Sequence, residues 1–141
     1  MILYLDTSAL VKLYVEESGS AAVAARVERA EAVVTARVTY AEARAAFARH
    51  RREGGLTSVA LRRVVRELDG EWGTYNLVDL GEPVVRRAGA LAERHALRAY
   101  DAVQLAAALD VRAAEVDLEF ASFDSRLARA AARERLRLSE L

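Results

Sequence analysis

The 141-residue chain has no cysteine and only two histidines, His50 and His95. The first absence excludes disulfides, thiolate nucleophiles and cysteine-ligated metals, and the second excludes a histidine-rich metal cage. Any metal site must therefore be built mainly from oxygen, which suits Mg²⁺ or Mn²⁺. Long hydrophobic runs are missing too. No stretch approaches the ~18 apolar residues of a membrane span, and Asp6 interrupts the first apolar run too early for a signal peptide. A cytoplasmic protein with no membrane partner is the expectation. Excess charge of either sign is also absent: 21 Lys and Arg balance 21 Asp and Glu, which argues against a strong nonspecific nucleic-acid binder. Lys12 is the only lysine. Every other basic residue is arginine, the side chain suited to bidentate phosphate contacts.

What is present reads as one globular domain over residues 1–141, with 53% hydrophobic and 30% charged residues. The unbroken apolar run Ile2–Leu5 reads as a fully buried strand, and Ala32–Thr35, Leu77–Leu80 and Leu118–Ala121 read as further strands, with Leu136–Leu138 as a fifth at the edge. Between them lie amphipathic stretches: a helix after Asp6, then Ala21–Ala30, Tyr40–Arg52, Thr57 or Ser58 to Asp69, Pro83–His95, Tyr100–Val111 and Ser125–Arg133. Gly54-Gly55 reads as a turn between two helices. Strands alternating with helices predict an α/β fold, a three-layer α/β/α sandwich with a central parallel sheet of four to five strands. Ligands of such sheets bind at the carboxyl ends of the strands. Asp6 ends the first strand and so should face that cleft.

Four carboxylates fall just after a strand or in the first turn of a helix: Asp6, Glu42, Asp101 and Asp124. Each has a local explanation. Thr39-Tyr40-Ala41-Glu42 and Asp101-Ala102-Val103-Gln104 both match a capping box, Asp124 can cap the helix that follows it, and Asp6 suits a positive helix end. Together they point elsewhere, because four carboxylates at one sheet edge repel one another unless a cation neutralises them. A hard divalent ion held by such acids supports phosphodiester hydrolysis. Rival chemistries lack their signatures. There is no G-x-x-x-x-G-K-[ST] phosphate loop, and Asp6-Thr7-Ser8 stands where a dinucleotide binder needs glycines. A haloacid-dehalogenase-like phosphatase needs a second aspartate where Ser8 stands, and Lys12 is misplaced for a receiver domain.

Four stretches, DTSALVKLYVEE, VTYAEARAAFARH, LRAYDAVQLAAAL and FASFDSRLARAA, resemble the signatures of PIN domains, most closely the VapC-type toxins of toxin–antitoxin modules. The resemblance implies a Mg²⁺- or Mn²⁺-dependent endoribonuclease that hydrolyses RNA, is restrained by a VapB-like antitoxin and forms a homodimer. It also implies an acidic quartet of Asp6, Glu42, Asp101 and Asp124. In it Asp6 and Asp101 are the firmest metal ligands, Asp124 acts directly or through water, and Glu42 acts through water or orients the attacking water. Ser8 and Ser122 would support the quartet by hydrogen bonding. The alternatives are an RNA-processing PIN nuclease without an antitoxin and a PIN module that binds RNA without cutting it.

Other features divide between packing and function. Arg44, Arg49, Arg51 and Arg52 form either a solvated helix face or a phosphate-binding edge. Arg98 and Arg126 lie near Asp101 and Asp124. Tyr14, Trp72 and Tyr75 read as packing residues, Phe123 as a side chain pointing into the core, and Tyr100 as an aromatic at the cleft rim. His50 and His95 read as helix-end cations and Asp79 as a sheet-edge acid outside the cleft. Val11, Val15, Val23 and Val27 exceed what one core face needs; a buried helix explains the same pattern, and the resemblance implies a surface for a second copy or an antitoxin helix.

Overall fold

Ile2, Leu3, Tyr4 and Leu5 form β1, the middle strand of a five-stranded sheet, as an unbroken apolar run allows when both faces are covered. The computed structural model describes residues 1–114 and 116–141. Strand β1 pairs in parallel with β2 (Ala32–Ala36) on one side and β4 (Leu118–Ala121) on the other. Strands β3 (Asn76–Val78) and β5 (Arg137–Leu138) close the edges, also in parallel, giving the order β3-β2-β1-β4-β5.

Successive side chains of β1 point to opposite faces, and the two cores follow from that alternation. Leu3 and Leu5 enter a core with α1 (Thr7–Val11), α2 (Ser20–Arg29), α3 (Thr39–Arg52) and α4 (Ser58–Glu71). Tyr4 enters the other core, with α5 (Glu82–His95), α6 (Ala99–Arg112) and α7 (Ser125–Arg133), and stacks on Phe120 at 5.5 Å between ring centroids. The three layers and the parallel sheet match the expected sandwich. Because β2 and β4 flank β1 and each strand leads into its own helix, the crevice opens at the carboxyl end of β1.

Two readings from sequence change here. The third strand stops at Val78 and leaves Leu80 outside, because its register partner β2 ends at Ala36 opposite Val78. The next residue of that chain, Arg37, closes the ladder with its N–H on the Val78 carbonyl and pairs with Asp79. Val11, Val15 and Val23 are buried within the α1–α4 core, so they form no open docking face; Val27 packs partly against it. Tyr14 packs edge-on to Phe47, and Trp72 lies between Tyr40 and Tyr75, as packing residues should.

Helix α4 starts where the Thr57 hydroxyl accepts the Ala60 N–H at 3.0 Å. Thr57→Ala is expected to lower stability by about 1 kcal/mol, read as a shifted urea midpoint with unchanged slope. A change below a few tenths would make the cap dispensable. No helix of the described residues is long and apolar enough to cross a membrane.

Candidate functional site

The carboxyl end of β1 delivers Asp6 to the start of α1 in an extended conformation (φ −73°, ψ 175°), which is the geometry of an N-cap. Its Oδ1 accepts the Ala9 N–H at 2.9 Å and the Ser8 hydroxyl at 2.7 Å, and its Oδ2 accepts the Ser122 hydroxyl at 2.5 Å. The side chain is 3% exposed. Burial pushes its carboxyl up to about 6 from an ordinary 3.8, against the three hydrogen bonds, and the nearby charge of Asp101 adds to the rise.

Ser8 and Ser122 each serve two loops. The Ser8 hydroxyl donates to Asp6 and accepts the Phe123 N–H at 2.8 Å; that of Ser122 donates to Asp6 and accepts the Asp124 N–H at 3.1 Å. The turn after β4 is thereby tied to the end of β1. Asp124 caps α7, its Oδ1 accepting the Leu127 N–H at 2.9 Å.

The capping-box readings of the other two acids are overturned. The Thr39 side chain makes no cap bond; it turns inward to Thr35 and Gln104, and Val38 stands at the cap position. Glu42, freed from the backbone, accepts the Thr7 hydroxyl and the Gln104 amide, both at 2.9 Å on Oε1. Asp101 lies inside α6, whose cap residue is Arg98, and its first-turn carboxylate faces the cleft. Partial burial raises its pKa, repulsion from Asp124 and Glu42 raises it further, and Arg98 and Arg126 pull the other way.

Gln104, 2% exposed, is the residue the sequence did not single out for the site. Its Nε2 lies 2.9 Å from Glu42 Oε1, 2.9 Å from Thr39 Oγ1 and 3.2 Å from Thr7 Oγ1. Its Oε1 accepts the Tyr4 hydroxyl at 2.7 Å. A carboxylate only accepts hydrogen bonds, so Glu42 fixes which end of the amide faces it. Burial, reinforced by the charges of Asp6 and Glu42, holds the Tyr4 phenol protonated by raising its pKa, which keeps it a donor.

All four sequence-predicted acids line one cleft of about 760 Å³. Lys12, Arg49, His50 and Arg52 line it as well, and so do Tyr100 and Phe123. That lining corrects one reading: Phe123 points to the cleft and not into the core. It also places Lys12 at the rim, and His50, in the last turn of α3, reaches the cleft with its Nε2 4.0 Å from Glu17. Arg44 instead covers Tyr40, and Arg51 is no part of the cleft lining. His95 lies apart from the cleft lining, paired with Glu134 at 2.7 Å.

Among the described residues no three acidic or histidine groups are already gathered as a ligand set for one ion. The donor chemistry nevertheless fits a hard divalent cation. The cleft presents four carboxylates, no thiolate, and an Asp101 whose charge is opposed by its acidic neighbours. Ligands of this kind suit an ion that keeps part of its water shell.

The PIN domain family model matches residues 3–133. Two curated proteins of Mycobacterium tuberculosis, named ribonuclease VapC45 and ribonuclease VapC49, are each 39% identical over 126 residues, covering 89% of this chain and 86% of theirs. Among solved structures, FitAcB from Neisseria gonorrhoeae superposes with a TM-score of 0.72 at 21% identity, covering 99% of this chain and 97% of that one. VapBC-1 from nontypeable Haemophilus influenzae superposes with a TM-score of 0.67 at 16% identity, covering 99% and 98%. The two solved structures share the fold.

Proposed function

This chain belongs to the PIN domain family, and on that premise we propose that it is a VapC-type toxin, an endoribonuclease that hydrolyses RNA phosphodiester bonds with Mg²⁺ or Mn²⁺. The observation that carries the reading is the convergence of Asp6, Glu42, Asp101 and Asp124 on one cleft from four separate segments of the chain. A single domain acting in the cytoplasm, forming a homodimer and restrained by a VapB-like antitoxin completes the reading. Similarity to VapBC-1 supports the partner, and the names of the two similar ribonucleases support the toxin assignment.

Asp6 and Asp101 would hold the metal, with Asp124 beside them. When bound, a divalent cation supplies a water of lowered pKa and charge compensation for the phosphate oxygens. The protein's own groups divide the remaining work. Ser8 and Ser122 fix both oxygens of Asp6 and so fix its aim. Glu42 is held through Oε1 alone, and Oε2 has no protein hydrogen bond among the described residues, which leaves it to orient a water in the cleft. Arg49 and Arg52 bring positive charge to the same cleft for the RNA backbone.

The test is cleavage of single-stranded RNA by purified protein with Mg²⁺, with Mn²⁺ and with EDTA, followed by metal add-back. Cutting is expected only with metal and is expected to return on add-back. Cutting that ignores EDTA would sink the metal–carboxylate mechanism, and RNA bound but intact under every condition would favour the non-catalytic module.

A further inference from the structure

Among the described residues, two aromatic side chains are exposed, Tyr100 at 58% and Phe123 at 37%. Both line the acidic cleft, and each immediately precedes one of its acids, Asp101 and Asp124. An exposed aromatic ring forgoes the burial that its apolar area favours. Two of them beside the same four carboxylates therefore call for a ligand with flat apolar faces.

Phe123 is also held in place. The Lys12 ammonium sits over its ring, 4.4 Å from the centroid, and is itself anchored by Glu17 at 3.1 Å and the Ser18 carbonyl at 2.7 Å. Gly19 leaves room for the ring edge: a Cβ there would lie 2.6 Å from Phe123 Cε1, and the φ of 93° at this residue already favours glycine. The backbone N–H of Phe123 is bonded to Ser8, which ties the turn to the Asp6 carboxylate. A ring held by these contacts gives a contacting group a defined position.

We propose that Tyr100 and Phe123 form a stacking platform for unpaired nucleobases flanking the scissile phosphate. The proposal rests on the ribonuclease reading for the identity of the phosphate and deepens it by naming the side chains that meet the bases of that RNA. The charge on the cleft agrees. Arg49 and Arg52, without ion-pair partners among the described residues, supply phosphate contacts in the cleft whose aromatics face the bases. In a duplex the bases are already stacked on one another and offer no free face, so paired RNA gains nothing from the platform.

The test measures binding without turnover, by fluorescence anisotropy in EDTA. The probes are a short single-stranded RNA, the same strand annealed to its complement, and the same strand with abasic sites replacing its bases. Tyr100→Ala and Phe123→Ala are each expected to weaken binding of the intact single strand about tenfold or more, the size of one lost base–aromatic stack. Tyr100→Trp is expected to restore it. Binding of the abasic strand and of the duplex should be nearly unchanged in all variants. Phe123→Ala removes a ring packed beside Gly19, so Tyr100→Ala, at a more exposed site, is the decisive variant. Equal affinity of wild type and Tyr100→Ala for the intact strand would overturn the platform, and so would an equal loss on the abasic strand or no RNA binding at all. The outcomes separate the two readings. Base-dependent binding without cleavage in Mg²⁺ or Mn²⁺ would sink the nuclease and keep the platform, whereas cleavage with unchanged Tyr100→Ala binding would sink the platform alone.

Discussion

Asp6→Asn is expected to reduce RNA cleavage by about a hundredfold or more and, at the same time, to raise the melting temperature of the metal-free protein near pH 7.5. The two effects have one cause. Asp6 sits 3% exposed among other acids, and its carboxyl titrates at about 6 when an ordinary aspartate titrates at 3.8. The difference, at ~1.4 kcal/mol for each pH unit, sets an upper limit of about 3 kcal/mol on the cost of the ionised side chain to the empty fold. Asparagine removes the charge but keeps an oxygen for the Ala9 N–H and the Ser8 hydroxyl, and its amide can donate to the Ser122 oxygen. A gain of several degrees in EDTA is the expected reading. A loss of several degrees would make Asp6 a structural cap and remove it from the proposed metal site.

The same carboxyl predicts a pH dependence with a definite sign. Between about 4 and 6 the folded protein holds a proton on Asp6 that the unfolded chain has released, so the folded state binds more protons there. Stability from this group therefore falls as pH rises through that window and is flat above it. Glu134 acts in the opposite direction, since its bonds to His95 and Arg94 lower its pKa and are lost on acidification. The difference between wild type and Asp6→Asn, measured by urea unfolding in EDTA across the window, isolates Asp6: the stabilising effect of the substitution should grow from near zero at low pH to its full size at neutrality. Mg²⁺ should then raise the melting temperature of wild type more than that of the variant.

The parts of this molecule that are legible in its sequence are those whose causes are local. The apolar run of β1 specifies a buried parallel strand by itself and Asp6 follows it at once, while β4 is apolar but for Glu119 and a short turn leads from it to Asp124, so in both cases the strand and its acidic end can be read. The third strand cannot be bounded this way, because Leu80 is as apolar as Leu77 and only the end of β2 decides where pairing stops. Phe123 escapes a sequence reading because the direction of a side chain in a turn depends on backbone angles that composition does not carry. The valines of α1 and α2 look surplus until four helices are seen to share one side of the sheet. Gln104 is hidden for a different reason. In its own helix it looks like the last residue of a capping box, while its four partners lie 62 to 100 positions away.

Those distant partners make Gln104 the second site of large expected effect. Gln104→Leu should lower stability by about 1–3 kcal/mol, because the buried Tyr4 hydroxyl loses its acceptor and Thr39 loses a donor. Cleavage should fall by about 10- to 100-fold as well, since Glu42 Oε1 keeps only the Thr7 hydroxyl and its carboxylate is free to rotate. Tyr4→Phe removes only the outer link of the chain and should cost less on both counts. Gln104→Glu separates positioning from packing. The new side chain fits the same space, but its ionised form puts a second carboxylate against Glu42, whereas its protonated form can accept from Tyr4 and donate to Glu42. Cleavage by Gln104→Glu should therefore be weak at neutral pH and recover, relative to wild type, as the pH is lowered. The pH–rate profiles of the two proteins decide the matter. Parallel profiles, or full activity in Gln104→Leu, would mean that the amide only fills space and that Glu42 is aimed by Thr7 alone.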